Sequence, residues 1–161
     1  MGSLSFTTHQ TRYLITASCA VRKSFPLSHV VLIGEDKKAK ALLSRSLQSL
    51  SRHKHIEVIS KYAIAEFEFG SCDRARVLFE ELLSAHPKRT DLWHIYVDRE
   101  IKLGKYQEAR SLFDRLVASK LSARNMKAVF KKYLAFESKH GTLEDQERVK
   151  LAAQQYVERM M

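Results

Sequence analysis

Three glutamates carry the first chemical signal in this chain. Glu66, Glu100 and Glu137 each follow a tyrosine by four residues and precede a glycine by four, giving Tyr62-Glu66-Gly70, Tyr96-Glu100-Gly104 and Tyr133-Glu137-Gly141. On a helix, residues four apart share a face, so each tyrosine lies beside its glutamate. Basic partners recur with them: Ala75-Arg76 returns as Ala109-Arg110. A planar guanidinium bound to a carboxylate is a directional contact. The pattern predicts a Glu–Arg or Glu–Tyr brace in each unit, because buried charges need partners. Repetition argues against catalysis by these glutamates, since a residue repeated for bracing is not a unique site.

Other reactive residue types give less. His53 and His55 stand two apart and would diverge on a helix, which suits surface histidines better than a metal pair. His94 and His140 have no serine or cysteine at a recognisable spacing. Neither a phosphate-cradling glycine loop, a zinc motif nor a nucleophile motif is found. The chain reads as a non-enzyme with no cofactor, no metal and no small-molecule substrate. The remaining candidate is a basic stripe. Lys120, Arg124, Lys127 and Lys131 fall at i, i+4, i+7 and i+11, one face if the segment is helical from Lys120. Lys132 and Lys139 add to it, and Lys88-Arg89 before Trp93 is a second candidate. Such residues would meet phosphates or an acidic partner, salt-sensitively and without sequence specificity; a solvated face is the alternative.

Composition agrees with a basic helical protein. The net charge is +10, which suggests an acidic partner, nucleic acid being the commonest. Gly and Pro are scarce, at 5 and 2 residues, which suits helices. Cys19 and Cys72 have neither disulfide nor metal-ligand spacing, as in a reducing compartment. No apolar run is long enough to span a membrane.

The triplets are also a period. Tyr62 to Tyr96 is 34 residues and Tyr96 to Tyr133 is 37. Leu78-Phe79 returns as Leu112-Phe113, Leu82 as Leu116, and Glu80 is echoed by Asp114. Periods of this size signal stacked helix pairs. The expected architecture is all-α, a right-handed solenoid of antiparallel pairs. A partial repeat covers 35–50, where Leu43-Ser44-Arg45 resembles Phe113-Asp114-Arg115. Full repeats cover about 54–87, 90–121 and 123–158. The first helix of the first full repeat is apolar on two faces, as a sandwiched helix must be. Its partner has one stripe: Ala75, Leu78, Phe79, Leu82 and Leu83. The three glycines are expected to end their helices in the left-handed conformation. Pro87 stops the second helix, Thr90 or Asp91 caps the next, and Thr142 caps the last. The truncated first repeat predicts an apolar edge near Leu42, Leu43 and Leu47.

Residues 1–34 differ. They lack Asp and Glu, contain Arg12, Arg22 and Lys23, and carry no repeat pattern. They read as a non-homologous, disordered or alternative start, with an organelle transit peptide as a weaker resemblance. Gly2 fails the myristoylation pattern at Phe6.

Trp93, Tyr96, Glu100, Gly104, Ala109, Arg110 and Phe113 together resemble the half-a-tetratricopeptide (HAT) repeat. More narrowly, three stretches are similar to a family of large ribosomal-RNA-processing proteins, in which OB-fold RNA-binding repeats precede HAT repeats. They are Phe67-Glu68-Phe69-Gly70, Pro87 to Trp93, and Met126 to Thr142. The resemblance covers about 35–161 and includes no OB-fold. It implies a non-catalytic scaffold in ribosomal RNA processing, in the nucleus and nucleolus. Its implied partners are small-subunit processome proteins and pre-rRNA. A HAT scaffold of messenger-RNA splicing or 3′-end processing, and a tetratricopeptide-like peptide-binding module, are the alternatives.

Overall fold

The computed structural model describes residues 36–159, and the readings made for residues 1–34 lie outside them. Every regular element among the described residues is a helix: α1 Asp36–Ser49, α2 Arg52–Phe69, α3 Cys72–Ala85, α4 Thr90–Lys102, α5 Tyr106–Ala118, α6 Ala123–His140 and α7 Leu143–Glu158. The fold is all-α and built of helical repeats, as the period requires. By compactness the chain divides within α3, into residues up to Glu80 and residues from Glu81. None of these helices is long and apolar enough to cross a membrane.

In the first unit α1 packs on α2 around Ala39, Val58, Tyr62 and Ala65. Leu42 and Leu43, expected at an apolar edge, are half-buried against this cluster. Phe67 of α2 meets Phe79 of α3 with ring centroids 5.8 Å apart. In the second unit α4, α5, α6 and α7 pack in order, joined by two to four residues, so successive helices are antiparallel. Phe113 is fully buried and stacks on Tyr133, centroids 4.5 Å apart and planes 7° apart. The Trp93 indole is buried and its N–H donates to the Pro87 carbonyl at 3.1 Å. Arg115 lies over that ring, 5.2 Å from its centroid.

Helix ends depart in part from expectation. Gly104 has φ 73° and is the sole described residue with positive φ. There Lys105 N–H donates to the Glu100 carbonyl at 2.9 Å and Gly104 N–H to Ile101 at 3.0 Å, the two bonds of a Schellman turn. Gly70 and Gly141 do not take the left-handed form: their φ values are −118° and −108°. Nor does Thr90 or Asp91 cap α4. Arg89 holds the N-cap position without a side-chain cap, and Asp91 is tied instead to the Arg89 guanidinium by bonds of 2.9 and 2.7 Å. Thr142 caps α7 as expected, and Asp145 returns the bond to complete a capping box.

Candidate functional site

The repeated glutamates are interior groups. Glu66, Glu100 and Glu137 are buried, Glu100 and Glu137 completely. Glu137 of α6 receives a two-pronged bond from Arg110 of α5, Nε to Oε1 at 2.9 Å and Nη2 to Oε2 at 3.0 Å. Arg148 of α7 stands 3.9 Å from the same carboxylate. The brace thus joins the second helix of one repeat to the first helix of the next. Glu66 is satisfied differently. Its arginine is Arg74, at 3.2 and 3.0 Å, and the Ser71 N–H adds a third bond at 3.1 Å. Arg76, the periodic counterpart of Arg110, pairs with Asp73 at 3.1 Å. Burial pushes the Glu66 pKa up, but bonds from Tyr62, Arg74 and the Ser71 N–H prevail and hold it below the usual carboxylate value.

Tyr133 completes the junction. Its hydroxyl donates to Asp114 Oδ1 at 2.9 Å and accepts from Arg148 Nη2 at 3.1 Å. Burial, then the Asp114 carboxylate, raises the phenol's pKa. Arg74, Asp114 and Arg148 escaped the sequence reading as partners. Arg74 has no periodic signal, since Glu108 and Asp145 occupy its place after the other two glycines. Asp114 was visible as the echo of Glu80, but its phenol partner was not.

The spacing from glutamate to glycine now has a cause. A β-carbon on Gly141 would collide with Oε2 of Glu137 and stand 3.0 Å from the Glu137 carbonyl oxygen. The glycine makes room for the buried carboxylate curling over the helix end. Gly141→Ala should therefore cost about 1–3 kcal/mol by overpacking, read from chemical denaturation. Gly104→Ala, where a β-carbon would meet nothing within 4 Å but φ is positive, should cost about 1 kcal/mol.

The basic candidates separate into two classes. Lys120 lies in the connection before α6, because Ser122 is the N-cap and accepts from Asn125 N–H. It does not share the helical face. Arg124, Lys127 and Lys131 do, within an arc of about 60° at roughly 100° per residue. All four are exposed, as is Lys88. Lys132 turns away, and its Nζ binds Asp98 of α4 at 2.8 Å. Arg89 is likewise neutralised by Asp91. The half-buried His94 lies beside Lys132; burial, then that ammonium, lowers its pKa. His55 bonds the Leu50 carbonyl at 2.8 Å. Among the described residues no three His, Cys, Asp or Glu side chains gather as a metal site.

No family model matches the chain. Curated proteins do. Over 128 residues, 78% of this chain and 8% of the relative, it is 47% identical to "rRNA biogenesis protein rrp5" of Schizosaccharomyces pombe. Over 117 residues, 73% of this chain and 6% of the relative, it is 43% identical to "Protein RRP5 homolog" of Mus musculus. A weaker likeness, 27% over 92 residues, links it to "Pre-mRNA-splicing factor CLF1" of Paracoccidioides brasiliensis, covering 52% of this chain and 14% of that protein. The chain spans less than a tenth of the length of the RRP5 proteins it matches, and within that span it belongs to the RRP5 family.

Proposed function

We propose that this chain is a non-catalytic helical-repeat scaffold in ribosomal RNA processing and ribosome biogenesis, acting in the nucleolus. The observation that carries this reading is the identity of 43–47% to RRP5 proteins over most of the chain. The fold supports it: the recurring carboxylates are consumed in bracing, and what remains for partners is surface. Its partners are pre-ribosomal proteins and pre-rRNA, met by exposed faces of the helix pairs.

The test is a chimaera. The matched segment of the fission yeast relative is replaced by the corresponding residues of this chain, and pre-rRNA is probed by northern blotting. Mature small-subunit rRNA at the parental level is the expected result. Accumulation of precursor, with the chimaera present at normal abundance, would reject the reading. The likeness to a splicing factor supports the second reading; retained introns in place of unprocessed rRNA would select it.

A further inference from the structure

The Lys132–Asp98 ion pair fixes more than one charge. Asp98 lies eight residues into α4 and Lys132 nine residues into α6. α4 and α6 are each antiparallel to α5, which lies between them in the chain, so they run parallel, and the 2.8 Å contact sets them in register to about one residue. Their N-termini therefore lie side by side. The connection before α4 (residues 86–89) and the connection before α6 (residues 119–122) lie at that same end. Two candidates read as separate in the sequence, the Lys88 loop and the start of the basic helix, thus share one end of the second unit.

We infer that Lys88, Lys120, Arg124, Lys127 and Lys131 form one binding surface for an RNA phosphate backbone, at the end of the second unit where α4 and α6 begin. This rests on the ribosomal reading above and names the chemistry it leaves open.

The charge there is available. None of the five cations forms an ion pair or hydrogen bond among the described residues, whereas Arg89 and Lys132 beside them are spent on carboxylates. Arg124 to Lys131 spans about 10 Å of helix at 1.5 Å per residue, room for more than one phosphate. The positive ends of α4 and α6 add partial charge of the same sign. Arg124 can also grip a phosphate with two N–H groups.

The same face lacks what a protein partner would need. Between and beside the cations on α6 stand Ala123, Ala128, Ala135 and Ser138, all exposed and small. Protein interfaces draw most on clustered large aromatic side chains and arginines packed into pockets, and on this face Arg124 alone is of that kind. A polyphosphate needs the charge alone.

The test uses the full chain and a fluorescein-labelled, single-stranded RNA of about 20 nucleotides, mixed in sequence. Anisotropy gives affinity across a salt series. Each phosphate contact on a single strand contributes about 0.7 to the slope of log affinity against log salt. The triple variant Arg124→Gln/Lys127→Gln/Lys131→Gln should lose about two slope units, and Lys88→Gln about 0.7. The control Lys37→Gln/Lys40→Gln/Arg45→Gln removes three exposed cations of α1 and should leave the slope unchanged. Poly-L-glutamate at matched charge should leave the RNA bound. Equal losses for the two triples, an unchanged slope in the α6 triple, or displacement by poly-L-glutamate would each overturn the inference. All substitutions are on exposed side chains, and circular dichroism checks the fold. A chimaera that restores processing beside an unchanged slope rejects this inference alone; the reverse pattern rejects the ribosomal reading and keeps the site.

Discussion

Arg110→Ala lowers the unfolding free energy by about 3 kcal/mol and the midpoint temperature by roughly 10 °C. The reason is what the substitution leaves behind. Glu137 is fully buried, and its two carboxylate oxygens take both prongs of the Arg110 fork. Arg148, at 3.9 Å and half exposed, is a poor substitute. A buried carboxylate stripped of its partner is left uncompensated and away from water, which costs free energy. The figure sits at the low end of the 3–5 kcal/mol range for breaking a buried pair, because Arg110 retains a solvent-facing edge. The double variant Arg110→Met/Glu137→Leu separates the causes. Well-packed apolar pairs often match a buried ion pair, so most of the loss should return. Urea denaturation of wild type, single and double variants measures this directly. A double variant as unstable as the single would show that the loss does not come from a stranded charge.

Phe113→Ala produces a loss of about 3–5 kcal/mol, for a different reason. Phe113 is completely buried, stacked on Tyr133 and 5.5 Å from the Phe136 ring. Its removal opens a cavity between α5 and α6, and neighbouring helices relax into such cavities only in part. The effect reaches further than volume. Tyr133 loses the ring that orients it, so its bond to Asp114 weakens too. Tyr106→Ala is the contrast. Tyr106 stacks on His140 but is 36% exposed, so its loss should stay near 1 kcal/mol. Thermal unfolding of the two variants side by side measures the difference; similar losses would contradict the burial argument.

Much of this architecture is legible in the amino-acid string, because it repeats. The period gives the helix pairs, and the alternation of two-faced and one-striped helices gives the layers. Ala39 and Ala109, matched by the Leu43/Phe113 register, are both fully buried. What is not legible is partner choice. The string suggests a brace within each pair, yet Arg110 reaches forward to Glu137 of the next pair, and Glu66 takes Arg74. At the position of Arg110, α1 carries Lys40, which is exposed, so Glu66 is satisfied from its own side. Glycine chemistry is similarly hidden. Spacing shows that a glycine ends each first helix, but only packing shows that Gly141 yields space to a carboxylate while Gly104 yields a backbone angle. The basic stripe was half legible: helical period groups Arg124, Lys127 and Lys131, but includes Lys120 because the start of α6 depends on Ser122. The neutralisation of Lys132 by Asp98 is a contact across 34 residues that no local pattern encodes.

The brace that runs from α5 to α6 also decides how such a gene can be edited. The sequence repeat pairs α4 with α5 and α6 with α7, so a sequence-guided cut falls in the connection between pairs, residues 119–122. Yet Arg110 and Asp114 lie before that cut, while Glu137 and Tyr133 lie after it. The inherited unit and the cohesive unit are out of phase by one helix. A nick in that connection would leave two fragments holding each other, whereas deleting the upstream half would expose a carboxylate that has lost its counter-ion. Duplication, loss or transplantation of a repeat should therefore succeed when the stretch from Ala109 to Gly141 moves whole.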